Sequence, residues 1–544
     1  MPLHAVSQGR SVTDIDSQKT IAELTTEVTS LKAELRDAQK LIEYIGAELR
    51  TLRAKPYAAK GEGLSDEQLH LLLKDMEIDQ AMRHDVASLE DSAKEVVQAC
   101  RPERPEVQKG GRRKLPDHLP RKEIVLSVKQ EELLCQCCGG EKRKIGTEAS
   151  EQLEIVPAKF FVVRYLREKF ACPKCAEQVS IAPPAPKPIP RGNAGSGVIA
   201  MVAVSRFASH LPWYRQENIL ARCGHTVGRS TQWSWAFRGA KVLEPLIDEL
   251  KRRVLLSEVI WTDDTPVKIQ DKKVKKRLPE SRIWTYRGDS SNPYIFFEFT
   301  RTRRRDGPKT ILDLFNGYLV ADAYAGYDCV YASGNVIEAA CFAHVRRKFF
   351  ESLGGAGPIA LEALLHIRQL YRVEQNAEKL CRDQKLSKTE FHALRLQMRR
   401  RYSTSRLQEF KAWLEKQKEE QLPQSRIGKA IRYTLKNWTA LNSFLENGEV
   451  TLDNNLAENI LRKIALGRKN WLFFGGEEGG RVAATYATII ASAARHGLDP
   501  FVYLRDVFTR LSQDPKTPIA TLLPDEWEDK TSGYYENLCQ LDAA

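Results

Sequence analysis

The sequence has no uninterrupted apolar run as long as a spanning helix, which excludes a membrane-spanning helix, and no membrane partner is expected. Its first twenty residues are polar and have no apolar centre, so no secretory signal is expected and the cytoplasm is the default compartment, with nucleoid association when bound to DNA. It lacks an even cysteine count: eleven cysteines in a long basic chain argue against a disulfide framework. It lacks the composition of a disordered chain, since 42% of its 544 residues are hydrophobic and 28% charged. Acidic residues are the minority, 71 against 84 Lys and Arg. The net charge of +13 favours a polyanionic partner, nucleic acid before a membrane surface.

Residues 1–16 read as disordered. From Gln18 to Arg53, Ile21, Leu24, Val28, Leu31 and Leu35, then Leu41, Ile45, Leu49 and Leu52, recur every three or four residues with charges between them. That stripe predicts a coiled coil in 1–56 and a homo-oligomer built on it, because an exposed apolar seam requires a partner. Residues 57–124 read as a less regular helical segment and then a linker rich in Pro, Gly and Arg. Arg112, Arg113 and Lys114 within it resemble an arm that enters a DNA minor groove, or a merely solvated basic linker.

Cysteine is concentrated where it matters. Cys135 and Cys138 form one Cys-x-x-Cys knuckle, Cys172 and Cys175 a second, with thirty-three residues between them. Four thiolates at this spacing suit a closed tetrahedral zinc site whose role is structural. Cys137 adjoins Cys138 and competes as a ligand. The β-formers of 154–156 and 160–166 predict strands that bring the knuckles together, and the module is bounded at 125–182. Residues 195–254 then read as three helices with a helix-turn-helix outline, a candidate DNA-binding module.

From Ser257 the pattern alternates. Strands are expected at 258–262, 282–287, 294–300, 318–321 and 336–342, with a basic hairpin DKKVKKR after the first. The first expected strand ends in Asp263 and Asp264, the fourth in Asp322, and strand ends are where α/β proteins place their chemistry. His344, Arg346, Arg347 and Lys348 open the next helix. Residues 351–447 are helical and charged, and they read as an insertion, since structureless loops of that length are uncommon. The stretch TLDNNLAENILRKIALGRKNWLFFGG follows, with Leu456, Ile460 and Ile464 as the expected buried face and Gly467 as the expected helix stop. It carries Glu458, then Arg468 and Lys469. A residue-level account of Glu458 as a capping partner of Asn455, paired with Arg462, is also available. Asp263, Asp322 and Glu458 together are the set needed to hold a pair of hard divalent cations, Mg²⁺ or Mn²⁺, for phosphoryl transfer. Arg346, Arg347, Lys348, Arg468 and Lys469 are suited to the phosphate backbone. The core is bounded at 255–350 plus 448–512, and 513–544 is a tail.

CQCCGG with CPKC, HLPWYRQE, TDDTPVK, DAYAGYD, CFAHVRRKF and DNNLAENILRKIALGRKNWLFFGG resemble the DDE transposases of the bacterial insertion-sequence sixty-six group. The resemblance covers more than three quarters of the chain. It implies an α+β multidomain protein with a ribonuclease-H-like core interrupted by a helical insertion, and it implies Asp263, Asp322 and Glu458 as the catalytic acids. It also implies Cys135, Cys138, Cys172 and Cys175 as zinc ligands, DNA ends and target DNA as partners, and small accessory proteins encoded alongside. Asp264 departs from the Glu usual after the first acid. The alternatives are a zinc-containing DNA-binding protein without catalysis and a structure-selective nuclease that cuts without joining.

Overall fold

The computed structural model describes residues 160–171, 179–270, 278–353 and 355–540. The expected coiled coil, the arm Arg112 to Lys114, the four zinc-spaced cysteines and the DKKVKKR hairpin lie outside the described residues.

A five-stranded mixed sheet organises the rest. Its strands are β3 (Val259–Lys268), β4 (Glu280–Arg287), β5 (Ile295–Thr300), β6 (Gly317–Ala321) and β7 (Val336–Ala340), in the order β5-β4-β3-β6-β7. Strands β3, β4 and β5 form an antiparallel meander, whereas β6 and β7 run parallel to β3. Two short strands, β1 (Lys169–Ala171) and β2 (Val179–Ile181), pair antiparallel on either side of the second cysteine knuckle. The strand expected at 160–166 is not formed. Residues 160–168 carry no regular structure, and Val162 and Leu166 are exposed, so β propensity there finds no partner strand to pair with.

Side chains alternate across the central strands. Val259 and Trp261 of β3 and Val320 of β6 enter one core, while Ile260, Leu319 and Ala321 enter another. The second of these cores is covered by helices α1 (Ser196–Phe207), α2 (Trp213–Arg222), α3 (Arg229–Val242) and α4 (Glu244–Leu255), with later helices of the chain. The last of the three helices expected in 195–254 is thus two, parted at Leu243. Ile199, Ala236, Leu246 and Leu250 pack in a single core with Trp284 and Tyr286 of the sheet. The expected helix-turn-helix segment is therefore part of the sheet's own packing. A short helix, α5 (Asp306–Leu312), follows β5.

The opposite face is covered by α6 (Phe342–Ser352), α7 (Gly357–Gln384), α8 (Lys388–Met398), α9 (Thr404–Glu420) and α10 (Arg426–Lys436). Phe342, Phe349, Ile367, Phe410 and Ile431 join Trp261 and Val320 there. The expected helical insertion is thus built onto one face of the sheet. Helices α8 and α9 are joined by a turn of π-helix at Arg399–Ser403. Arg399 is fully buried and spans Glu374 at 2.6 Å and the Phe444 carbonyl at 2.8 Å. The chain then returns as α11 (Asn455–Trp471), α12 (Glu477–Arg495) and α13 (Pro500–Gln513). Asp499 caps α13, accepting from the Phe501 and Val502 amides. No helix among the described residues is long and apolar enough to cross a membrane.

Candidate active site

Asp263 sits in the middle of β3, not at its end. Strand β3 outruns its parallel neighbour β6 and continues against β4, with Asp263 opposite Thr285. The end that matters belongs to β6. The β3–β6 ladder closes with Trp261 beside Val320; Asp263 lies two residues further along β3, and Asp322 two residues past Val320, just beyond the end of β6. The two-residue period puts Asp263 on the face of Val259 and Trp261, and Asp322 on the face of Val320.

Glu458 reaches that face through α11. Asn454, wholly buried at the helix start, donates its side-chain amide to the Thr262 carbonyl at 2.8 Å. Its backbone amide donates to Cys341 Sγ at 3.2 Å. The first turn of α11 is thereby tied to β3 beside Asp263 and to the residue that starts α6. Glu458 lies one turn later and faces His344 Nδ1 at 3.9 Å, while Arg462 is exposed. The capping pattern expected of Asn455 is not formed with Glu458; Asn455 bonds Asp453 at 2.7 Å.

The electrostatics follow from crowding acids in a dry place. Burial pushes the Asp263 carboxyl up to about 7, and the neighbouring Asp322, Asp264 and Glu458 push the same way, against the Asp264 amide that donates to Asp263 Oδ1. Asp322 is also raised by burial, opposed by Arg303 and His344. Asp264 has a different environment. Its side chain is 2% exposed and is held by Arg303 Nε at 2.8 Å and Arg282 at 3.1 Å. Arg303 also reaches Asp322 at 3.4 Å and lies over the Tyr324 ring at 4.0 Å from its centroid. Sequence reasoning missed this clamp, because the RTRRR run reads only as a basic loop. Of the paired aspartates, Asp263 is the one raised by both Asp322 and Glu458, while Asp264 is joined to Asp322 through Arg303.

The expected phosphate-binding residues divide. Arg346, Arg347, Lys348 and Lys469 are exposed. Arg347 pairs with Glu351 at 3.0 Å, an exposed contact of small energetic weight, and Lys348 lies 4.4 Å from the centre of the Tyr433 ring. Arg468 is turned inward and donates to the Pro266 carbonyl at 2.6 Å and to the Thr265 hydroxyl at 3.1 Å. It fastens α11 to β3. The expected helix stop at Gly467 does not occur; α11 runs on to Trp471. A Cβ at Gly467 would lie 2.7 Å from Trp471 Nε1 and 2.9 Å from His210 Nδ1, so this glycine serves a close approach. The following segment runs beside β3, with Phe474 donating to the Lys268 carbonyl and Gln270 to the Phe474 carbonyl.

Asp263, Asp322 and Glu458 are thus drawn toward one face, and the Asp263 carboxyl is raised by burial and by the charges of the other two. The family model described as "Transposase IS66 family" matches residues 191–482. Three others match 132–176 ("zinc-finger binding domain of transposase IS66"), 46–124 ("Transposase C of IS166 homeodomain") and 488–524 ("IS66 C-terminal element"). The zinc-finger match contains Cys135, Cys138, Cys172 and Cys175, and it supports zinc as a component. The homeodomain match falls upstream of the helices read as the DNA-binding module. Among curated relatives, "Uncharacterized protein y4jD" of Sinorhizobium fredii (strain NBRC 101917 / NGR234) is 33% identical over 76% of this chain and 81% of its own. From the same organism, "Uncharacterized protein y4qI" is 30% identical over 93% of this chain and 92% of its own. The main match spans more than half of the 544 residues, and the chain belongs to the transposase family IS66, with the zinc-finger and homeodomain segments of a protein that works on DNA.

Proposed function

We propose that the protein is a DDE transposase that binds the ends of its insertion sequence and catalyses metal-dependent cleavage and joining of DNA strands. The observation that carries this reading is the placement of Asp263 and Asp322 at matching positions of two adjacent strands, with Glu458 on a helix pinned to one of them and both Asp322 and Glu458 acting on the buried Asp263 carboxyl. Such a set fits Mg²⁺ or Mn²⁺. All of its donors are hard oxygens, and Asp263 is held protonated near neutrality unless a cation offsets the neighbouring charges. Bound there, divalent ions would activate a water or a 3′ hydroxyl and offset charge on the leaving oxygen.

The rest of the work falls to the chain. Asn454 and Arg468 fix α11 against β3, so Glu458 is presented without reorganisation. Arg303 neutralises Asp264 and touches Asp322, offsetting their charge where a bound cation would otherwise do so. Arg346, Arg347, Lys348 and Lys469 offer exposed charge for the DNA backbone, and Arg112, Arg113 and Lys114 a further basic arm. The zinc module, held by Cys135, Cys138, Cys172 and Cys175, contributes folding and end recognition, and the N-terminal stripe a homo-oligomer that brings two ends together.

The test is to incubate purified protein with labelled element ends, Mg²⁺ and a target plasmid. Joined product is expected. Cleavage without joining would make the protein a nuclease, and binding without cleavage would leave it a zinc-bearing DNA binder.

A further inference from the structure

Beside the acids lies a second donor set of different chemistry. Cys341 Sγ, one ring nitrogen of His344 and a Glu458 carboxylate oxygen all lie within 4.8 Å of one another, the one group of three His, Cys, Asp or Glu donors that close among the described residues. The backbone explains why they meet. Cys341 is the residue at which β7 gives way to α6, and His344 stands three residues on, in the first turn of that helix. Glu458 arrives from α11 through the Asn454 amide that donates to Cys341 Sγ. The His344 Nδ1 atom is buried and has no protein hydrogen-bond partner. A buried ring nitrogen left without a partner is costly, and it is aimed at the Glu458 oxygen 3.9 Å away.

We infer that Cys341, His344 and Glu458 form a site for one soft or borderline transition-metal ion, of the Zn²⁺, Co²⁺ or Cd²⁺ class, distinct from the hard-cation set of Asp263 and Asp322 but sharing Glu458 with it. Sulfur and imidazole select such ions over Mg²⁺, which prefers oxygen alone. Three protein donors leave a fourth position for water. The donor separations must close by up to about an ångström to reach tetrahedral bonding geometry, a shift that side-chain rotation of Glu458, 35% exposed, and His344, 29% exposed, supplies. Binding forms a sulfur–metal bond and breaks the S–H bond of Cys341, with the proton passing to solvent.

The consequence rests on the proposed role of Glu458. An ion held by Cys341 and His344 draws the carboxylate away from Asp263 and Asp322, so zinc in excess of that needed by the finger is an inhibitor of joining.

The experiment uses the full chain with its zinc finger saturated and free zinc removed, in millimolar Mg²⁺, titrated with Co²⁺. A thiolate-to-cobalt charge-transfer band saturating at one equivalent is expected, absent from C341S and requiring about tenfold more Co²⁺ in H344Q. A wild-type spectrum that superimposes on that of C341S overturns the proposal. Should C341S fail to fold, H344Q decides alone, and an unchanged Co²⁺ midpoint overturns it. The band is read without DNA. Its appearance alongside retained joining by E458Q would keep this site while removing the catalytic role of Glu458.

Discussion

Replacing Asp263 by Asn tests the crowding of the acids through stability alone. Folding carries this carboxyl from its ordinary value of 3.8 to about 7, so below pH 4 the group is protonated in both states and costs nothing. Between pH 4 and 7 the unfolded chain ionises this group while the folded state keeps it protonated, buried beside Asp322 and Glu458, so stability is lost across that window and the loss is complete above 7. The shift of roughly three pH units corresponds to about 4 kcal/mol at pH 8. Partial solvation of Glu458 and Asp322 screens the repulsion, which puts the measured effect between about 1 and 4 kcal/mol. Asn keeps the oxygen that accepts the Asp264 amide and removes the charge. In metal-free buffer with the zinc finger intact, D263N is therefore more stable than wild type at pH 8 and equal to it at pH 4. Adding Mg²⁺ at pH 8 stabilises wild type more than D263N. Denaturant unfolding at the two pH values measures this. A difference that does not change with pH, or a D263N protein less stable at pH 8, would refute the placement of Asp263 among the other acids.

Three other perturbations follow. Arg303→Ala removes a cation that bridges Asp264 and Asp322, so Mn²⁺ binding at pH 8 tightens severalfold by calorimetry, and weaker binding would contradict the clamp. Gly480→Ala places a Cβ 2.3 Å from the Phe299 ring where α12 crosses β5, and the forced separation costs on the order of 1–3 kcal/mol in thermal unfolding; an unchanged Tm would sink the packing. Cys172→Ser releases zinc and weakens end binding, read by metal analysis and gel shift, while far-UV circular dichroism of the sheet and its helices persists. Full zinc retention would move the ligand set elsewhere, Cys137 included.

How much was legible in the sequence depends on whether a residue's role is local. The strands of the five-stranded sheet were legible from their apolar runs, and the helical insertion from its length and charge, whereas β1 and β2 were not. Asp322 was legible because β6 ends beside it. Asp263 was misplaced to a strand end because Thr265 and Pro266 read as a break, yet Pro266 pairs with Arg282 and β3 continues to Lys268. The apolar face of α11 was read one residue off: Ala457 and Leu461 are fully buried, while Leu456, Ile460 and Ile464 are only partly covered. Ala457 and Gly467 share that contact with Leu461, and a count of large apolar side chains passes over the two small ones. Gly467 was read as a stop because chain direction is local information, whereas the side chains of His210 and Trp471 that crowd it are not. The Arg303 clamp and the Asn454 tie had no pattern to announce them, since each joins segments far apart in sequence. His344 had a trace, its spacing from Cys341, but only the arrival of Glu458 gives that spacing a partner.

The central claim is that three distant acids make one cation site that joins DNA. Strand transfer by D322N and E458Q, measured beside binding of labelled ends, tests it most directly. The account predicts a loss of about a thousandfold in joined product, the rate equivalent of ~4 kcal/mol of lost charge stabilisation, with end binding within about twofold of wild type. Joined product at the wild-type rate from either variant would contradict it.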